Sequence, residues 1–194
     1  MDDKAKALSS LFIFSDGGEL KVLFRPAHRI LLFVIALILI GSAIAFFPFT
    51  KNYVFIDNET NQPVAYMPVE AADFQIKYIH TIHLSEVLES YELTDDDHFR
   101  MIELQYEDFS VGMPSNAGEG ETFVEKDGKY FIKNMSRELP DFRLFVGDVD
   151  AELLFLMGNR EIDLKEFLTR GKSYTFRVQR LSPIQLIKGV NIYE

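Results

Sequence analysis

Residues 30–49 read ILLFVIALILIGSAIAFFPF, twenty positions without a charge, interrupted only by Gly41, Ser42 and Pro48. As a helix rising 1.5 Å per residue, this stretch covers about 30 Å, the hydrocarbon thickness of a bilayer. A core helix of a soluble protein carries a polar stripe over such a length, and none is present here. The reading is a single transmembrane helix over residues 30–49. It divides the chain into a tail of residues 1–29 and a larger domain of residues 50–194, and the fold rests on what that domain does.

Outward from the helix, the flanks give an orientation. Lys4, Lys6, Lys21, Arg25 and Arg29 precede it, whereas the twenty residues after it hold only Lys51. Basic residues stay on the cytoplasmic side, so the N-terminus is expected in the cytoplasm and the C-terminal domain outside the cell membrane. Ala43-Ile44-Ala45 also offers the small residues of a signal-peptidase site, which leaves cleavage after Ala45 as the rival to an uncleaved anchor. The long lead favours the anchor. Within it, Leu11-Phe12-Ile13-Phe14 and Glu19-Leu20-Lys21-Val22-Leu23-Phe24 flank Ser15-Asp16-Gly17-Gly18, a hairpin pattern that either docks on a surface or stays disordered.

Charge divides at the same place. Five Lys+Arg and four Asp+Glu precede Thr50, which leaves 15 basic and 26 acidic residues, a net of −11, in residues 50–194. That balance argues against nucleic acid as a partner. The chain has no Cys, which removes disulfides, thiolate metal sites and cysteine nucleophiles.

Past the membrane segment the hydrophobic period becomes two. Phe74, Ile76, Tyr78 and His80 alternate with polar neighbours, as do Ile102, Leu104 and Tyr106, then Phe142, Leu144 and Val146, then Tyr174, Phe176 and Val178. Leu153 to Met157 is a continuous apolar run, the pattern of a strand covered on both faces. Short strands between turn signals predict a mainly β fold, an antiparallel sandwich or a barrel-like domain. All 8 Tyr and 11 of the 18 Phe lie in residues 50–194, enough bulk for one core. Asp127-Gly128 predicts a type I′ hairpin that puts Phe123, Tyr130 and Ile132 on one face. Thr94 to His98 is expected to turn between strands near 86–93 and 99–107. A competing helical spacing runs through Leu84, Val87, Leu88 and Tyr91, and residues 163–170 ahead of Gly171 read as a helical turn or two.

Candidate chemistry is sparse. His80, His83, Glu86 and Glu89 are donors that zinc accepts. Residues three apart on a strand point to opposite faces, however, so His80 and His83 chelate together only if the segment is helical or bulged. His80 shares its face with Phe74, Ile76 and Tyr78 and is expected as a hydrogen-bonded core residue, with a bulge between Leu84 and Glu86 needed to bring Glu89 to that face. Asp95-Asp96-Asp97 lacks the spacing of a calcium loop. No phosphate loop, nucleophile elbow or HExxH appears, and neither a metal nor a cofactor is expected.

Tyr78-Ile79-His80-Thr81-Ile82-His83, then Val87, Glu89 and Tyr91, then Phe109-Ser110-Val111-Gly112-Met113-Pro114 resembles the paired signature of a bacterial family of unknown function. The resemblance runs over residues 72–181, including Asn134 to Pro140. Thr81 stands where that family usually has Ser, and its Gly-Ala-Gly segment is reduced to Ser110-Val111-Gly112. Members are commonly encoded beside TAXI-type TRAP transporters. The resemblance therefore implies a non-catalytic accessory protein that contacts the membrane subunit or the solute receptor of a TRAP-type organic-anion transporter. It marks His80, Glu89, Gly112 and Pro114 as a possible ligand or partner site. The alternative is a small metal-dependent enzyme or ligand-sensing envelope domain built on His80 and Glu89.

Overall fold

The computed structural model describes residues 26–80, 84–108 and 113–193. The hairpin pattern of residues 11–24 lies outside them. The chain divides after Phe46 into two compact units. In the first, helix α1 spans Pro26–Phe46, and its stretch from His28 to Phe46 is long and apolar enough to cross a membrane. The helix starts four residues before the expected segment and stops three before its end. Pro48 accounts for the stop: its ring disfavours helical backbone at Phe47, and it has no N–H to donate.

The second unit is mainly β. Its strands are β1 (Thr50–Asp57), β2 (Gln62–Pro68), β3 (Asp73–Ile79), β4 (Glu86–Leu93), β5 (Phe99–Tyr106), β6 (Thr122–Lys126), β7 (Lys129–Leu139), β8 (Asp141–Val146), β9 (Leu153–Met157), β10 (Arg160–Asp163), β11 (Lys172–Leu181) and β12 (Val190–Asn191). Two short helices, α2 (Leu164–Phe167) and α3 (Pro183–Lys188), complete it. A five-stranded sheet has the order β12-β2-β1-β11-β8, and a seven-stranded sheet the order β10-β9-β3-β4-β5-β7-β6. Both sheets keep free edges, so of the two expected architectures the open two-sheet form is found and the closed barrel is not. All pairings are antiparallel except β12 with β2.

Aromatic rings from both sheets fill the space between them. Tyr53 and Phe176 of the first sheet meet Phe74 of the second at ring-centroid distances of 5.3 and 5.6 Å. β1 is buried on both sides: Tyr53 and Phe55 face the seven-stranded sheet, while Val54 and Ile56 are covered with Leu181 by Tyr66 and by Leu186 of α3. The seven-stranded sheet is wider than its partner. Its far part carries a second apolar cluster of Val87, Leu104, Tyr106 and Ile132, against which Phe123 and Tyr130 pack. The Tyr106 hydroxyl donates to the Pro114 carbonyl at 2.5 Å and ties Pro114 to this part of the sheet.

Several local expectations are met. β4 is a strand and not a helix, because it is paired on both edges, with β3 and with β5. The turn after it closes through Thr94 N–H to the His98 carbonyl at 2.8 Å, and Asp97 is ion-paired with Lys51, which gives that acidic turn a structural role. In 163–170 only one turn is helical, capped by the Asp163 side chain, which accepts from Lys165 N–H at 2.8 Å. Asp127 (φ 54°) and Gly128 (φ 76°) both have positive φ between Lys126 and Lys129, as a type I′ turn requires. Gly128→Val forces a β-branched residue into that region and is expected to cost about 1–2 kcal/mol in thermal or urea unfolding. Wild-type stability in that variant would contradict the turn.

Candidate functional site

The register of β3 against β4 builds the site. Ile76 stands opposite Glu89, Phe74 opposite Tyr91 and Tyr78 opposite Val87. Residues directly opposed in a sheet share a face, so Glu89 lies in the inward row of apolar and aromatic residues. No bulge between Leu84 and Glu86 is involved; the interruption on this strand falls between Ser90 and Tyr91, against β5.

A carboxylate in such a row needs donors, and two phenols provide them. The Tyr78 hydroxyl donates to Glu89 Oε1 at 3.1 Å, and the Tyr91 hydroxyl to Glu89 Oε2 at 2.7 Å. Burial first, and the Glu89 carboxylate second, push both phenols well above the usual tyrosine range. They therefore remain protonated donors. Tyr91 is fixed further by stacking between Phe74 and Phe142, each at 5.2 Å with interplanar angles of 12° and 15°.

Tyr78 and Glu89 form part of the wall of two cavities. One, of about 360 Å³, opens beside β8, with Ile76, Phe142, Leu144 and Leu153 on its walls. The other, of about 300 Å³, brings Met101, Met113, Met135 and Arg137 together with Tyr91 and Pro114. The outward face of the same sheet is different in character. There Lys77 pairs with Glu86 at 3.1 Å and Lys129 with Glu107 at 3.1 Å, a solvated lattice of ion pairs.

Of the residues marked from the sequence, Glu89 and Pro114 share the 300 Å³ cavity. His80 does not join them. Pairing of β3 ends at Ile79 with Glu86, and His80 follows at the hairpin end, half-buried, with its N–H on the Ser85 carbonyl at 2.9 Å. It is thus at the margin of the core in which it was expected, half-buried with its ring Nδ1 covered, because the paired part of β3 ends one residue earlier. Four strand positions separate it from Ile76, the cross-strand partner of Glu89, roughly 13 Å along the strand. His83 and Gly112 lie outside the described residues. Among the described residues, no three His, Asp or Glu side chains gather as a metal site. Tyr78 and Tyr91, the donors to Glu89, had no role assigned from the sequence alone. The signal for them is two tyrosines on neighbouring strands of which one is two residues from a glutamate.

Fold and site together define a class: a helix long enough to span a membrane, followed by an open two-sheet β domain with a carboxylate held by two phenols between cavities. Residues 74–164 match the family described as domain of unknown function (DUF1850). That match covers β3 to the start of α2 and contains Tyr78, Glu89, Tyr91 and Pro114. No curated protein matches the chain, and no solved structure does.

Proposed function

We propose that the chain is a single-pass membrane protein whose β domain lies outside the cytoplasm and acts as a non-catalytic accessory, binding a ligand or partner through the cleft at Glu89. The anchoring half rests on α1. Its apolar side chains are exposed along its length, Ile30 at 65%, Leu39 at 64% and Phe46 at 65%, and surface of that kind is stabilised by lipid at about 25 cal/mol per Å² removed from water. The basic residues before it set the orientation.

One observation carries the binding half: each oxygen of Glu89 accepts from a phenol that burial keeps protonated. This fixes the carboxylate as an acceptor in the wall of two cavities. A site using His80 as well would have to span the distance between them along β3. The partner assignment, a TRAP-type transporter, rests on the sequence resemblance. A carboxylate in the cleft and a net charge of −11 disfavour capture of an organic anion by this domain, so the accessory role is docking on the transporter's membrane subunit or solute receptor.

Two measurements test the proposal. A reporter fused after Glu194 should be active only outside the cytoplasm, and protease added to intact spheroplasts should degrade the chain beyond Thr50. Protection of the domain reverses the topology. Affinity purification of the full chain from native membranes should recover TRAP subunits in stoichiometric amounts, and their absence removes the partner assignment while leaving the cleft in place.

A further inference from the structure

The cleft beside β8 has a charge pattern that selects a ligand class. Its walls are aliphatic and aromatic: Ile76, Leu144 and Leu153, with the rings of Tyr78 and Phe142. Four charged side chains line it; two are partnered within the protein and a third is exposed to solvent. Lys165 Nζ donates to the carbonyls of Val149 (2.7 Å) and Ala151 (2.5 Å). Glu152 is 58% exposed and pairs with Lys77 at 3.4 Å. Arg143 is exposed on β8, where it alternates with the inward Phe142 and Leu144. The fourth, Glu89, sits on the inward face with two neutral phenols as donors and no ammonium or guanidinium of the described residues in ion-pair range. A carboxylate has about four lone-pair sites, so two stay available after the phenols bind.

We infer that this cleft binds a small amphipathic amine, with the ammonium on Glu89 between the rings of Tyr78 and Phe142 and the alkyl body along Ile76, Leu144 and Leu153. The inference rests on the binding reading given above. An ammonium is the complement of a carboxylate whose bonded partners are neutral phenols and with which the Arg137 guanidinium, in the wall of the other cavity, makes no ion pair; aromatic faces add attraction for a cation, and the acidic domain concentrates cations at its surface. A cavity of about 360 Å³ is in the range of small-molecule sites.

The test is calorimetric titration of the full chain in zwitterionic nanodiscs, with empty nanodiscs as the blank, using butylammonium, butanol and butyrate. Butylammonium should bind saturably and about tenfold more tightly than butanol, with butyrate weakest. Glu89→Gln, which keeps an acceptor for one phenol, should remove the amine's advantage and leave butanol within about twofold. Ala151→Phe, which narrows the cleft without touching Glu89, should weaken amine and alcohol alike. Equal binding of amine and alcohol to the wild type overturns the ligand class while the binding cleft stands. No binding of any of the three overturns the amine site, and the docking reading of the cleft then stands or falls by the affinity purification. A lysine-bearing peptide that binds more tightly than butylammonium would replace the free amine with a protein partner and overturn the source named here. If Glu89→Gln fails to fold, the wild-type series and Ala151→Phe still decide.

Discussion

Phe74→Ala is expected to lose about 3–5 kcal/mol of unfolding free energy, the range for deleting a fully buried ring, and to lower the melting temperature by roughly 10–20 °C. Phe74 is 2% exposed and lies where the two sheets meet. Its ring stacks on Tyr91 at 5.2 Å and on Phe155 at 5.0 Å, and meets Phe99 and Phe176 edge-on at 5.3 and 5.6 Å. Truncation therefore opens a void bounded by rings from both sheets, which strand pairing prevents from collapsing. The control is Phe145→Ala: at 60% exposure on edge strand β8, it should change stability by about 0.5 kcal/mol or less. Far-UV circular dichroism during heating reads both. A loss below about 1.5 kcal/mol at Phe74 would mean that the sheets do not close over this residue.

Strands that alternate were legible, and so was the continuous apolar run of β9, whereas β1 and β2 were missed. β3, β5, β8 and β11 each have one inward and one outward face, so their period is two in the sequence itself. β1 escaped because Tyr53-Val54-Phe55-Ile56 is buried on both sides, which erases the period, and because it follows closely on an apolar helix. β2 begins and ends near Pro63 and Pro68, residues that argue against a strand until its position beside the two-residue β12 is known. α3 was also missed, although Ser182-Pro183-Ile184-Gln185 carries its signal: the serine, the proline at the first helical position and the glutamine three on, whose reciprocal bonds both form.

Of the four residues marked from the sequence, Glu89 and Pro114 come to one cavity, and the geometry that brings them there was not legible. Glu89 could be picked out, but which face it takes depends on how β3 pairs with β4, and that register is fixed by the connection between them. Local alternation within either strand carries no information about that pairing. The same gap misplaced His80, whose alternation with Tyr78 suggested the core although the pairing ends one residue before it. Met101, Met135 and Arg137 could not be found at all. They reach the second cavity only because β7 continues for 11 residues past its hairpin and pairs with β5 through an irregularity between Met101 and Glu103.

A double-mutant cycle between Glu89→Leu and Tyr91→Phe should give a coupling energy of about 1.5–3 kcal/mol, the range for a hydrogen bond to a charged group. The cycle is needed because Glu89→Leu alone mixes opposing terms. It orphans the Tyr91 hydroxyl, whose residue is 4% exposed, at a cost of about 1–3 kcal/mol. It also relieves the desolvation of a carboxylate that has no ion-pair partner among the described residues, which works in the other direction. Coupling cancels the second term and isolates the bond. The corresponding cycle with Tyr78→Phe should give less, about 0.5–1.5 kcal/mol, because that bond is 3.1 Å rather than 2.7 Å and Tyr78 is only half-buried, so its hydroxyl can turn to water. Additivity within about 0.5 kcal/mol for the Tyr91 pair would show that phenol and carboxylate are not bonded, and a stronger cycle at Tyr78 would reverse the order. The ordering matters for the cleft. With Tyr91 stacked between two rings and bonded tightly to Oε2, Glu89 is held from one side, and it is the looser Tyr78 bond that an incoming ammonium can share without dismantling the core.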